Sequence, residues 1–237
     1  MCAIRKQLHS LELVGVVVFG EGERDAAHRL YLGFVVGSGV GPVVHFALAQ
    51  LDGKRLTAMD MSPAERVNAL ASAKGCSTED ITVCVLERPR HEDMIAEIRT
   101  TGAAIRLITD GDVAGVIHCA EASTGIDMYM GSGGAPEGVL AAAALKCMGG
   151  QMFGRLTFRN DDERARAKKA GITNLDRVYT RDDMVTGDVI FAATGVTDGS
   201  ILPGIKREPG FLTAETILMR SKTGSVRRMN YRNPTNT

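Results

Sequence analysis

The sequence predicts an α/β fold organised around a mostly parallel sheet, and three observations carry that prediction. Between Ile81 and Met148, apolar runs of strand length alternate with segments of helix length. A helix with a full set of start signals opens at Ser62. Of the 237 residues, 44% are hydrophobic, enough for a sizeable buried core.

Taken in order, Leu11 to Phe19 is a valine-rich run that stops at Gly20 and reads as a buried strand feeding the acidic loop Glu21-Gly22-Glu23. Val43 to Leu48 is a second strand, followed by a turn at Asp52-Gly53. The helix between Met61 and Lys74 has Ser62 as N-cap, Pro63 in the first turn and Glu65 to complete a capping box, and Gly75 ends it. The alternation then runs through a strand at Ile81–Leu86, a helix at His91–Thr100, a strand at Ala103–Ile108, a helix at Val113–Ala120, a strand at Ile126–Met130 and a helix at Pro136–Met148. Gln151–Phe158 and Asp188–Ala193 are further strands with a charged helix, Asn160–Ala170, between them. Thr213–Met229 suits a strand at a sheet edge, where it can pair with a second copy of the chain.

Charge and cysteine content narrow the function classes. Lys plus Arg and Asp plus Glu both number 28, and no basic stripe gathers the positive charge, which argues against a nucleic-acid binder. A small anionic ligand needs only a few local charges. The five cysteines are scattered, without paired C-x-x-C spacing, and read as reduced thiols of a cytoplasmic protein. No signal-peptide pattern opens the chain, and no apolar run has membrane-spanning length, so neither export nor insertion is expected.

Ligands of open α/β sheets lie beyond the carboxyl ends of the strands, and polar loops occupy four such ends. Arg88-Pro89-Arg90 presents two guanidinium groups suited to phosphate, or is a solvated turn. Asp110-Gly111-Asp112 can accept hydrogen bonds from sugar hydroxyls or hold a metal's outer shell; equally, Asp112 can be a helix N-cap. Gly131-Ser132-Gly133-Gly134-Ala135-Pro136-Glu137-Gly138 lets backbone N–H groups approach an anion at a helix start, although Glu137 there can simply complement the helix dipole. Gly195-Val196-Thr197-Asp198-Gly199 is a fourth such loop or a plain turn.

In sequence order, Gly20-Glu21-Gly22-Glu23-Arg24-Asp25, Arg88-Pro89-Arg90-His91, Asp110-Gly111-Asp112, Gly133-Gly134-Ala135-Pro136-Glu137-Gly138, Ala192 to Gly199 and Met219-Arg220-Ser221 resemble class II fructose-1,6-bisphosphatases, from about Val14 to Arg227. The resemblance implies the layered α/β sandwich of the fructose-1,6-bisphosphatase and inositol-phosphatase type. It also implies hydrolysis of the 1-phosphate of fructose 1,6-bisphosphate, a gluconeogenic step, with Mn²⁺ or Mg²⁺. Some members of that family also accept sedoheptulose 1,7-bisphosphate. Carried over residue by residue, it makes Glu21 and Glu137 metal ligands and puts Arg88, Arg90, Asp110, Asp112 and Gly134 against the sugar phosphate. Hard divalent cations want carboxylate oxygen, and arginines would neutralise the phosphate that stays.

The hydrolytic part of the pattern departs from the family. Where members carry Asp-Pro-Leu/Ile-Glu-Gly-Thr, this chain has Ala49-Gln50-Leu51-Asp52-Gly53-Lys54. One metal ligand has become Ala49, a second is the shorter Asp52, and the water-orienting threonine is Lys54, whose ammonium would repel a cation. The resemblance also implies an N-terminal truncation, with a family aspartate falling before Met1, and an internal deletion of several dozen residues before Ser62. The expected organisation is therefore a reduced N-terminal metal-binding half, residues 1–75, and a C-terminal sugar-phosphate half, residues 76–237. The alternative to an active phosphatase is a catalytically impaired sugar-phosphate binder or a decayed remnant.

Overall fold

A computed structural model of the chain describes residues 43–48, 59–169 and 171–235, the first of these as backbone. The strand expected at Leu11–Phe19 and the motif from Gly20 to Asp25 lie outside the described residues.

The helix start signals at Ser62 act as read. Helix α1 (Pro63–Lys74) is N-capped by Ser62, whose hydroxyl accepts from the Glu65 N–H while Glu65 accepts from the Ser62 N–H at 2.7 Å. Such caps each contribute about 1 kcal/mol. Gly75 ends the helix at φ 70°, a conformation that glycine adopts without a Cβ penalty.

The main sheet has six strands: β1 (Val43–Leu48), β2 (Thr82–Leu86), β3 (Ala104–Ile108), β4 (Met128–Gly133), β5 (Gln151–Leu156) and β6 (Val178–Thr180), in the order β3-β2-β4-β1-β5-β6. Helices α2 (Glu92–Arg99), α3 (Asp112–His118) and α4 (Ala135–Met148) connect β2 through β5. Strand β2 pairs parallel with β3 and β4, while β1 pairs antiparallel with both β4 and β5, so β2, β3, β4 and β5 all point one way. The βα rhythm thus predicts strand direction correctly, but only β3-β2-β4 is a contiguous parallel ladder. The reason is topological: alternation reports consecutive elements, whereas β1 comes from earlier in the chain and inserts between β4 and β5, and β6 adds antiparallel to β5.

Period-two alternation sorts the strand residues between two cores. Val83, Val85, Met128, Met130 and Phe153 face Val67, Leu70 and Ala71 of α1 and Ile95 and Ile98 of α2. Cys84, Tyr129 and Met152 face the other way, against Val116 of α3 and Ala141, Ala142 and Leu145 of α4. The outer sides of α3 and α4, at Ile117, Ala144 and Cys147, then pack on a second sheet through Ile217 and Met219. A helix buried on several sides suits the alanine run of α4, whose small side chains allow close approach of both sheets. The result is four layers, helix–sheet–helix–sheet, an α/β sandwich as expected.

That second sheet contains β7 (Ile190–Thr194), β8 (Lys206–Glu208), β9 (Phe211–Arg220) and β10 (Ser225–Pro234). The stretch expected as one edge strand, Thr213–Met229, is instead a hairpin folding back at Gly224 (φ 60°), and of its two strands β9 lies inside the sheet and β10 at an edge. The charged segment Asn160–Ala170 forms α5 (Asp161–Lys169), with the Asn160 side chain accepting from the Glu163 N–H, and a short helix α6 (Arg181–Met184) follows β6. The expected division at 75/76 falls at the end of α1, and elements on both sides of it share the first core. Among the described residues no helix is long and apolar enough to cross a membrane, and Cys76, Cys84, Cys119 and Cys147 are free thiols. Burial pushes the Cys84 thiol up to about 11.

Candidate functional site

The carboxyl ends of β2, β3 and β4 lie side by side, so the three loops that follow them share one edge of the sheet. Arg88, placed before Pro89 and extended at φ −145° and ψ 147°, leads into a single turn of 3₁₀-helix at Pro89–His91. Its guanidinium donates to the Glu87 carbonyl at 2.7 Å.

Arg90 is engaged within the protein. Its Nε donates to the Ser132 carbonyl and hydroxyl at 3.1 and 3.0 Å, and Nη2 donates to the same carbonyl at 2.6 Å. His91, 3% exposed, completes the clamp. The Ser132 N–H donates to its Nε2 at 2.9 Å, so the network assigns the ring proton to Nδ1, which donates to the Leu86 carbonyl at 2.7 Å. Burial lowers the His91 pKa, with Arg90 and Arg88 adding to the same effect and the Leu86 carbonyl opposing it. A neutral imidazole therefore bolts the β2 loop to the end of β4.

On the β3 side, Gly111 at φ 75° occupies the N-cap position of α3, and Asp112 is the first helical residue, its Oδ1 accepting from the Val113 N–H at 2.9 Å. The reading of Asp112 as N-cap is thus displaced by one residue. Asp110 is exposed and Asp112 half-buried, so both residues are open to solvent at this edge of the sheet.

The glycine-rich segment is more ordered than a cradle loop. Gly131, Ser132 and Gly133 belong to β4, opposite His45, Val44 and Val43, and α4 starts at Ala135, leaving only Gly134 between them. The reason is the neighbour β1, which pairs with these backbone groups. Gly134 is the N-cap of α4, and a Cβ built on it would stand 1.9 Å from Glu137 Oε2. The Glu137 carboxylate therefore folds back over the helix start into space that exists because Gly134 lacks a side chain, with the positive end of the helix dipole beneath it.

The structure thus brings Arg88, Arg90, Asp110, Asp112, Gly134 and Glu137 to neighbouring loops. Glu21, Ala49, Asp52 and Lys54 lie outside the described residues, and β1, which precedes the altered signature, runs from Val43 beside Gly133 to Leu48 beside Met128, away from Glu137. Loop Gly195–Gly199 is tied into the second sheet: Gly195 N–H donates to the Glu215 carbonyl, and Asp198 accepts from the Gly204 N–H at 2.8 Å. Among the described residues no three His, Cys, Asp or Glu side chains gather as a metal site.

Sequence reasoning gave no role to His91, Ser132, Gly115 or Tyr129. Their weak trace in the sequence is the spacing Tyr129-x-Gly131-x-Gly133, which puts a large ring and two bare positions on one strand face.

Comparison with known proteins agrees with the motif order. A sequence profile of the family described as "Bacterial fructose-1,6-bisphosphatase, glpX-encoded" matches residues 1–64 and 57–233. The match comes in two pieces that meet between Lys54 and the body of α1, where an internal deletion is expected. A protein of Prochlorococcus marinus (strain MIT 9303), named D-fructose 1,6-bisphosphatase class 2/sedoheptulose 1,7-bisphosphatase, is 32% identical over 279 positions, covering 95% of this chain and 84% of the relative. A protein of Synechococcus sp. (strain RCC307) with the same name is 33% identical over the same shares.

Proposed function

This chain belongs to the bacterial, glpX-encoded fructose-1,6-bisphosphatase family, and on that premise we propose that it removes the 1-phosphate of fructose 1,6-bisphosphate, and the corresponding phosphate of sedoheptulose 1,7-bisphosphate, using a divalent cation. The observation that carries the reading is the placement of two arginines, two aspartates and the Gly134–Glu137 helix start on adjoining strand ends. Arg88, half-buried beside the sheet edge, neutralises the phosphate that is retained. Arg90 fixes the β4 terminus through Ser132 and keeps Nη1 for the ligand. Asp110 and Asp112 accept hydrogen bonds from the sugar hydroxyls. The amino end of α4 offers backbone dipoles to the phosphoryl oxygens.

For the cation, Glu137 fits in kind, an exposed carboxylate oxygen for a hard ion, but supplies one donor where such ions take about six. Glu21 is the further carboxylate that would hold Mn²⁺ or Mg²⁺ with it, whereas β1 leads towards Asp52 from the end of β4 remote from Glu137. When bound, the ion supplies Lewis-acid polarisation and a more acidic water. Association between copies along β10 and a cytoplasmic location belong to the same proposal. A single monomeric peak in light scattering would reject the association.

Phosphate release with Mn²⁺ or Mg²⁺ and either bisphosphate tests the assignment, and no turnover across metals and substrates rejects it. Ala49 and Lys54 favour a second reading, a sugar-phosphate binder without turnover. Calorimetric binding of fructose 6-phosphate in the absence of hydrolysis would select it.

A further inference from the structure

Tyr129 stands out among the buried groups. Its side chain is fully buried (0% exposed), and its hydroxyl has no hydrogen-bond partner among the described residues. An unmet buried hydroxyl destabilises the fold that holds it, so its place in the fold calls for a partner that arrives with function.

The ring lies between β4 and α3, where a Cβ on Gly115 would come within 2.9 Å of Cδ2, so the bare helix face at Gly115 is what admits it. Asp112 is three residues before Gly115 and shares that face of α3. At the other end, a Cβ on Gly131 would lie 3.0 Å from the Tyr129 hydroxyl and 3.4 Å from His91 Cε1. The hydroxyl therefore sits under Gly131 of β4, beside His91 of the β2 loop. Burial raises the Tyr129 pKa, and Asp112 is the largest charge acting in the same direction, which keeps the phenol protonated as a donor.

We propose that Tyr129 is a positioning residue of the pocket: its hydroxyl donates to the Asp112 carboxylate when a sugar phosphate engages that carboxylate, fixing Asp112 in the orientation that binds the sugar. The proposal rests on the sugar-phosphate reading of the pocket. In the ligand-free protein the hydroxyl is idle, so Tyr129→Phe removes a cost rather than a bond. In the complex the same change removes a charge-assisted hydrogen bond.

The test uses the full chain, with fructose 6-phosphate as the calorimetric probe and thermal unfolding as a ligand-independent readout. Expected is a Tyr129→Phe protein whose ligand-free Tm is equal to or above that of the parent, with Kd for fructose 6-phosphate raised about tenfold. Where turnover is measurable, KM should rise with little change in kcat. Asp112→Asn should weaken binding similarly, and the double variant should be no weaker than Asp112→Asn alone. A ligand-free Tm lowered by several degrees would mean that the hydroxyl already has a partner, and it overturns the proposal. So does an unchanged Kd, or additive losses in the double variant. Failure of the parent to bind fructose 6-phosphate overturns both this role and the functional reading, whereas parent binding with an indifferent Tyr129→Phe removes the role alone.

Discussion

Gly134→Ala should separate activity from stability. At φ −67° and ψ 144°, Gly134 has a backbone conformation that alanine adopts freely. Replacing a glycine N-cap by alanine costs roughly 1 kcal/mol, and the stiffer unfolded chain returns about 0.4–1 kcal/mol, so net stability should change by less than about 1 kcal/mol. The new methyl would stand 1.9 Å from Glu137 Oε2 and 2.9 Å from the carboxyl carbon. Because non-bonded atoms settle near ~3.5 Å, the carboxylate must retreat by more than about 1 Å. Glu137 is a flexible side chain, so it will move instead of unfolding the helix. A displacement of about 1 Å at a reacting centre is worth on the order of 10²-fold in rate. The assay pairs thermal unfolding with cation-dependent phosphate release, and the expected variant melts with the parent but loses about 10²-fold in kcat/KM. Parent-like kcat/KM, or a stability loss above ~2 kcal/mol, would refute the placement of Glu137 over Gly134.

Two further perturbations probe the scaffold. Gly115→Ala introduces a methyl 2.9 Å from both Ile108 Cδ1 and Tyr129 Cδ2; overpacking of about 1–3 kcal/mol should exceed the ~1 kcal/mol gain in helix propensity, and chemical denaturation should show a net loss. The pH dependence follows from His91, whose folded pKa lies below its unfolded value, so its neutral form contributes stability that is fully present above the unfolded pKa of about 6.5 and is lost as pH falls towards the folded value. His91→Gln should flatten that acid-side slope in a pH series of denaturation curves, and an unchanged slope would contradict the assigned neutral imidazole.

How much of this was legible in the sequence differs by element. The α1 cap was, because Ser62, Pro63, Glu65 and Gly75 act within one turn of their own positions. So were the directions of β2 to β5, since an intervening helix returns the chain to the same edge. The insertion of β1 was not, because a strand's partner is a long-range choice invisible to local periodicity. For the same reason Gly131 and Gly133 read as loop when pairing with β1 makes them strand. Arg88, Asp110, Asp112 and Glu137 were legible as candidate chemistry because polar loops at strand ends can be read locally. The engagement of Arg90 with Ser132 was not, because it joins residues 42 positions apart. Tyr129 looked like ordinary core, since only the third dimension reveals that its hydroxyl ends beneath Gly131.

The most direct test of the central claim is release of inorganic phosphate from fructose 1,6-bisphosphate by the purified full chain, measured with Mn²⁺, with Mg²⁺ and with EDTA. Phosphate release that depends on the cation and disappears in EDTA and in Glu137→Ala is the predicted result; no release with either metal at any substrate concentration would contradict the account.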